Sequence, residues 1–305
     1  MGWFQTELKE LKETHNLTEK YMSIFKQYCS DHNIVFHKSE NLHILSTLVW
    51  NWVMRVKLRL YKFLHGIHRP IVHYYAVCWD EEKMLPFMFQ HYDRFVDHYT
   101  IYDNFSDDNS EGIIRSHKNA EIIKFKTEGF DDTTHNDIKN NCWKRSRGKA
   151  DYVIVCDIDE FLYNPDLQKL LGNKISLPVT EGYNMYSETF PADGKDITFQ
   201  IRKGIADSAY NKCLIFDPHR IVEINYLPGA HQAKPVGIVT RGEEKAKVLH
   251  YKNLGLDYIL ERYHILAKRL SEKNKEQNLG THYLYPDEKI SADFIQGLTN
   301  STPVI

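Results

Sequence analysis

The chain reads as an α/β protein, a mostly parallel sheet with flanking helices, preceded by a helical N-terminal extension. Three observations predict this. From residue 70 onward, short apolar runs alternate four times with amphipathic stretches. Polar residues gather where each apolar run ends, and the first 69 residues keep a helix-like spacing of apolar positions.

The extension, taken as 1–69, carries Leu8, Leu11, Tyr21, Ile24 and Phe25 at helical spacings and closes at His68-Arg69-Pro70. Within it, residues 42–65 interleave Trp50, Trp52, Tyr61 and Phe63 with Arg55, Lys57, Arg59 and Lys62. Basic and aromatic amphipathic helices lie in lipid interfaces, so this segment is expected to touch a membrane surface peripherally. The alternative is a helix packed on the following domain. His15, His32 and His37 are read as structural.

The main domain is expected over 70–272. Its strand–helix pairs are Ile71–Val77 with 82–93, His98–Tyr102 with 109–117, Ile122–Phe125 with 134–147, and Tyr152–Cys156 with 165–171. Further strands are expected at Gly182–Phe190, Lys212–Phe216, Ile221–Ile224 and Ala246–His250, then a helix near Leu256–Ser271. The tail, 273–305, holds Pro286 and Pro303 and is expected to be partly irregular.

Composition narrows the class. Of 305 residues, 42% are hydrophobic and 26% charged, as in a folded globular chain. A net charge of −2 leaves no global field to draw nucleic acid, so any anion site is local. Cys29, Cys78, Cys142, Cys156 and Cys213 are scattered without a Cys-x-x-Cys pair, which fits reduced thiols in a cytoplasmic protein. The N-terminus lacks a basic-then-apolar leader, and the longest weakly polar run, Ile44–Met54, is far short of the roughly 20 residues a spanning helix needs.

Open parallel sheets bind ligands at the carboxyl ends of their strands. Asp80 and Glu81 follow the first expected strand, Asp103 and Asn104 the second, Glu128 the third, and Asp157 and Asp159 the fourth. The centre of the pattern is Tyr152-Val153-Ile154-Val155-Cys156-Asp157-Ile158-Asp159-Glu160, an apolar strand that ends in three carboxylates. Carboxylates this close repel, and a hard divalent cation, Mn²⁺ or Mg²⁺, relieves the repulsion while leaving positions for phosphate oxygens. The competing reading is that they cap the next helix. Of the other acidic pairs, Asp107-Asp108 is expected to cap the helix near Asn109, and Asp131-Asp132 to be a solvated loop.

At these residues the chain resembles the family 2-like glycosyltransferases of GT-A (Rossmann-like) fold, of the capsule and lipopolysaccharide type and related to family 92. The resemblance covers residues 70–265. It runs through Cys78-Trp79-Asp80-Glu81, His91-Tyr92, Ile101-Tyr102-Asp103-Asn104-Phe105-Ser106-Asp107-Asp108, Asn140 with Cys142, Asp157-Ile158-Asp159-Glu160-Phe161, Lys212-Cys213-Leu214-Ile215, His231 and Leu249-His250-Tyr251-Lys252. It departs from the family at Asp80, where asparagine is usual, at Phe87-Met88 for Glu-Trp, and at His135 near a frequent glutamine.

The resemblance implies metal-dependent, inverting transfer of a sugar from a UDP-sugar to a glycan or lipid-linked glycan. Asp80, Glu81, Asp103, Asn140, Asp157 and Lys252 would bind the donor, and Asp157, Asp159 and His250 the metal. Glu188, then Asp207 and His231, are the candidate general bases. Competing classes are a haloacid dehalogenase-type phosphatase, a sugar nucleotidyltransferase and a non-catalytic glycan-binding module. Phe161 stands where such a phosphatase has Thr or Val, and no glycine-rich phosphate loop follows the first expected strand.

Overall fold

The structure, a computed structural model, describes residues 40–171 and 175–305. The expectations for 1–39, including His15, His32, His37 and Cys29, lie outside the described residues. Helix α1 spans Glu40–Leu64. A first sheet follows from β1 (Val72–Cys78), β2 (His98–Asp103), β3 (Ala120–Lys124), β4 (Tyr152–Val155) and β8 (Ile215–Phe216), in the order β3-β2-β1-β4-β8. The first four strands are mutually parallel and β8 runs antiparallel to β4. Helices α2 (Leu85–Tyr92), α3 (Ser110–Ser116) and α4 (Asp132–Asn141) make the crossovers. This is the α/β arrangement, parallel-rich with flanking helices, that the alternating pattern predicts. Every residue of β4 is buried, which is why Tyr152–Val155 shows no polar alternation.

The chain leaves β4 through Asp157-Ile158-Asp159 and at once enters β5 (Glu160–Tyr163), part of a second sheet. That sheet is completed by β6 (Val179–Ser187), β7 (Lys203–Ala206), β11 (Lys245–Leu254) and β12 (Thr302–Pro303), in the order β12-β7-β6-β11-β5. Strands β9 (Ile221–Glu223) and β10 (Val236–Gly237) pair separately. Strand β5 replaces the direct passage to a helix that the sequence suggests. Its Phe161 and Leu162 are buried, and Phe161 meets Tyr251 edge-on with ring centroids 5.0 Å apart. A single apolar cluster including Tyr74, Ile154, Phe161, Val248 and Tyr251 thus joins the two sheets.

The tail is more regular than expected. Helix α5 (Leu256–Arg269) follows β11 as expected, and within the tail helix α6 (Asp287–Asn300) starts directly after Pro286, with Asp287 and Glu288 in its first turn. Proline just before a helix and acids at its start favour initiation rather than irregularity. Ile290 and Phe294 of α6 bury against Ile259 of α5, and Pro303 sits in edge strand β12, where its missing N–H costs no ladder bond.

Candidate active site at the seam of the two sheets

Because β1 and β4 are parallel neighbours, their carboxyl ends open on one edge, and the Asp157–Asp159 turn is where the chain crosses from the first sheet to the second. The turn's backbone is held from below. The Tyr92 hydroxyl donates to Glu160 O at 2.8 Å and accepts from Leu162 N at 2.9 Å, and Tyr251 N donates to Asp159 O at 2.8 Å. Above the turn lies a cavity of about 300 Å³, walled by the ends of β1 and β4, by α4, β11 and α5, and by residues 279–283.

Asp157 and Asp159 both line this cavity, in different company. Lys139 Nζ of α4 lies 2.6 Å from Asp157 Oδ1, and Lys212 Nζ lies 3.3 Å from Asp157 Oδ2 and 2.5 Å from Glu160 Oε1. Burial alone would raise the Asp157 carboxyl, but the two ammonium groups outweigh it and hold it well below the usual range. Burial likewise opposes the charge on Lys212, and Glu160 with Asp157 holds that charge in place.

Asp159 instead faces His250 of β11, with Oδ2 3.3 Å from Nε2. The imidazole is oriented by a relay across the second sheet. Asn184 of β6 stands in register with His250, and its Oδ1 is 2.7 Å from His250 Nδ1. Asn184 Nδ2 donates to Asp207 Oδ2 at 2.8 Å. A carboxylate accepts only, so Asp207 turns the Asn184 amide carbonyl toward His250, Nδ1 carries the proton, and Nε2 faces Asp159. Tyr210 stacks on the same imidazole at 4.1 Å.

Lys252, two residues along β11, also lines the cavity, beneath the rings of Tyr263 and Tyr283, and burial pushes its ammonium down to about 8. Glu81 lines it too, paired with Arg262 of α5, whose other arm donates to Asp80 O at 2.8 Å. Burial opposes the Arg262 charge and Glu81 more than restores it.

Of the remaining sequence candidates, all but His231 lie off the cavity wall. Asp103 is fully buried, held by Lys124 Nζ and by the Ser106 hydroxyl, each at 2.5 Å. Asp80 accepts from Asp107 N at 2.8 Å, and Asn140 brackets the backbone of Tyr226, accepting from its N–H at 2.7 Å. Glu188 is exposed past the end of β6, and Asp207 caps a short turn through Ala209 N besides holding Asn184. His231 does line the cavity, with Nδ1 3.0 Å from Ala209 O. Of the acidic pairs, Asp131 caps α4 through Thr133 N while Asp132 reaches the cavity, and Asp108 receives the N–H groups of Ser110 and Glu82.

Sequence reasoning missed Lys139, Arg262 and Tyr210 outright, and quoted Lys212 without giving it a role. It likewise quoted Trp79 and His135 without placing them in the wall that they form with Phe130, which it missed. There Arg269 lies over the Trp79 indole, 3.5 Å from its centroid, and burial pushes His135 down to about 4.

The residues present bear on a divalent ion in one way. Among the described residues no group of three or more His, Cys, Asp or Glu is arranged to hold a metal. The donor set that fits is the two-point pair of Asp159 carboxylate and His250 Nε2, with its outer partner Asn184 already in place, an oxygen–nitrogen set of the kind Mn²⁺ accepts. Asp157 is already neutralised by lysines.

No protein-family model matches the chain, and no curated protein matches it. Solved structures share part of it. Glucosyl-3-phosphoglycerate synthase from Mycobacterium tuberculosis, in complex with Mn²⁺, UDP and phosphoglyceric acid, aligns at 15% identity and TM-score 0.26 over 37% of this chain and 43% of its own. A galactosyltransferase with donor and acceptor sugar analogues aligns at 11% identity and TM-score 0.25, over 36% and 46%. A 4-diphosphocytidyl-2C-methyl-D-erythritol synthase aligns at 11% identity and TM-score 0.31, over 50% and 76%. The chain spans less than half the length of the first structures it matches. At these scores the site is read from its own residues.

Proposed function

We propose that the chain is a GT-A-type glycosyltransferase that moves a sugar, with inversion, from a UDP-sugar to a glycan or lipid-linked glycan, using Mn²⁺ or Mg²⁺ at Asp159 and His250. One observation carries the reading. The cavity gathers five acidic side chains (Glu81, Asp132, Asp157, Asp159, Glu160) and four basic ones (Lys139, Lys212, Lys252, Arg262) at the carboxyl ends of a parallel sheet, with burial pushing Glu81 up and Lys252 down, each to about 8. A diphosphate entering this nearly charge-balanced cleft brings negative charge that an added cation beside Asp159 would offset, while the lysines and Arg262 meet its outer oxygens.

A bound divalent ion supplies Lewis-acid charge to the leaving diphosphate. The chain's own residues do the rest. Lys139 and Lys212 keep ammonium groups at the cavity floor, pre-set by Asp157 and Glu160, so little reorganisation accompanies the charge that develops on the nucleotide. Lys252 offers a further positive group from β11, and the Tyr210 ring shields His250 from solvent. Trp79, Phe130 and His135 offer an aromatic wall for the nucleoside, in place of the Asp80, Asp103 and Asn140 side chains that are engaged elsewhere. The acceptor's proton would pass to a base near the donor, and His231 lines the cavity whereas Glu188 and Asp207 do not.

The test is a donor panel with Mn²⁺, reading nucleotide diphosphate release with and without chelator. Release of UDP from a UDP-sugar, lost in chelator, is the expected result. Release of pyrophosphate from a nucleoside triphosphate and a sugar phosphate would instead make the chain a nucleotidyltransferase. Undiminished transfer in chelator would remove the ion.

A further inference from the structure

Helix α1 has a buried side of mixed polarity and an apolar side that faces outward. Leu48, Asn51, Arg55, Leu58 and Lys62 recur three or four residues apart and form the inward side. Leu48 and Leu58 are buried there, Arg55 reaches Asp217 at 3.1 Å and Lys62 reaches Asp151 at 2.6 Å. The opposite stripe holds Val53, Val56, Leu60, Phe63 and Leu64 at the same spacing, and it is bare: Leu60 is 57%, Phe63 81% and Leu64 69% exposed, against 1% for Leu58. Trp50, also exposed, flanks the stripe.

We infer that this stripe is a docking surface for an anionic lipid bilayer, on which α1 lies flat at headgroup depth. Charge selects the occupant. Between Asn41 and Leu64 the helix has no acidic residue, and the exposed Lys57 and Arg59 stand on either edge of the stripe with no ion pair among the described residues. Cations on long stems beside an apolar strip, with tryptophan at the margin, match the layered chemistry of a lipid interface. A second copy of the same face would bring only further cations to the rim of the contact. No helix among the described residues is long and apolar enough to cross a membrane, so the helix rests on the surface. The structure also revises the electrostatics that the sequence alone suggests. Arg55 and Lys62 point inward to their aspartates, which leaves two cations for the bilayer rather than four, and the apolar stripe becomes the larger contributor.

The experiment uses the full chain with phosphatidylcholine vesicles made with and without phosphatidylserine, read by co-flotation and by tryptophan emission. Binding to the anionic vesicles with a blue-shifted emission is expected. The Leu60→Glu/Phe63→Glu variant should lose at least tenfold in partitioning at an unchanged melting temperature, and Lys57→Gln/Arg59→Gln should lose roughly fivefold per charge. Failure of the wild type to bind anionic vesicles at low salt overturns the inference. So does equal binding by Leu60→Glu/Phe63→Glu, or a dimer that this variant dissolves while vesicles are ignored. Sugar transfer is not needed for any of these readouts, so they stand apart from the transferase proposal.

Discussion

The two ends of the Asp157–Asp159 turn belong to different environments although one residue separates them. Asp157 faces the first sheet's crossover helix and sits among ammonium groups, with Lys139 at 2.6 Å and Lys212 at 3.3 Å. Asp159 faces the second sheet and meets one imidazole at 3.3 Å. The same type of side chain therefore does two jobs. On one side it balances buried charge and fixes two lysines, and on the other it offers a carboxylate that an ion can share with His250.

The largest expected effect tests the Asp159 side. Asp159→Asn should lower turnover by roughly 10²–10³-fold, the usual loss when a transition-state charge partner is removed. Its melting temperature should stay near that of the wild type. A variant that keeps full turnover in the UDP-release assay would erase the distinction between the two aspartates.

On the lysine side the effect should fall on stability. Glu160→Gln leaves the buried Lys212 with only the longer contact to Asp157, and breaking a buried pair by removing one partner costs about 3 kcal/mol. Urea unfolding checks this, and an unchanged midpoint would mean that Asp157 alone balances Lys212.

The relay behind His250 predicts a smaller loss. Asp207→Asn lets the Asn184 amide turn over and present its NH₂ to the imidazole, so Mn²⁺ affinity should fall roughly ten- to hundredfold, as for other outer-sphere partners. Direct Mn²⁺ titration reads it without any donor. Identical affinity would leave His250 oriented by Tyr210 stacking alone.

The smallest effect concerns pH. His135 titrates at 6.5 in the unfolded chain and at about 4 when buried, so the unfolded state binds more protons between those values. The stability that neutral His135 allows is complete above 6.5 and is lost as pH falls toward 4. His135→Gln should shrink the loss of stability between pH 7 and pH 5.5 by about 1 kcal/mol, seen as a smaller drop in melting temperature. An identical drop would show that other histidines shifted down by burial, such as the half-buried His73 and the buried His91, set the acid limit.

The first sheet was legible because its strands are buried apolar runs separated by amphipathic helices, a pattern that local sequence carries whole. The second sheet was legible only in part: the strands expected at Gly182–Phe190 and Ala246–His250 fall on β6 and β11, whereas β5, β7 and β12 went unseen. Strand β5 is four residues long and pairs with β11, whose His250 stands opposite Glu160 across a long sequence separation that no local pattern records. The same reason hides Lys139, Lys212 and Arg262. Each is an ordinary basic residue in its own segment and becomes part of a site only when α4, the approach to β8 and α5 meet over the turn. Asp103 failed in the opposite direction: it stands at a strand end as the resemblance requires, yet Lys124 and Ser106 absorb its carboxylate.

Leu279, Gly280, His282 and Tyr283, from the segment expected to be tail, roof the cavity, with Gly280 at φ 68° turning the chain over it. The approach to this roof is stitched to the strip joining β3 and α4 by Phe130 N to Arg269 O at 2.6 Å, Ser271 N to Phe130 O at 3.4 Å, the Lys273–Asp131 pair at 3.5 Å, and Asn274 exchanging hydrogen bonds with Asp132 at 2.9 and 3.2 Å. The floor, by contrast, is woven from strands of both sheets. A chimera carrying another 271–286 segment would therefore keep the woven floor and change what covers it.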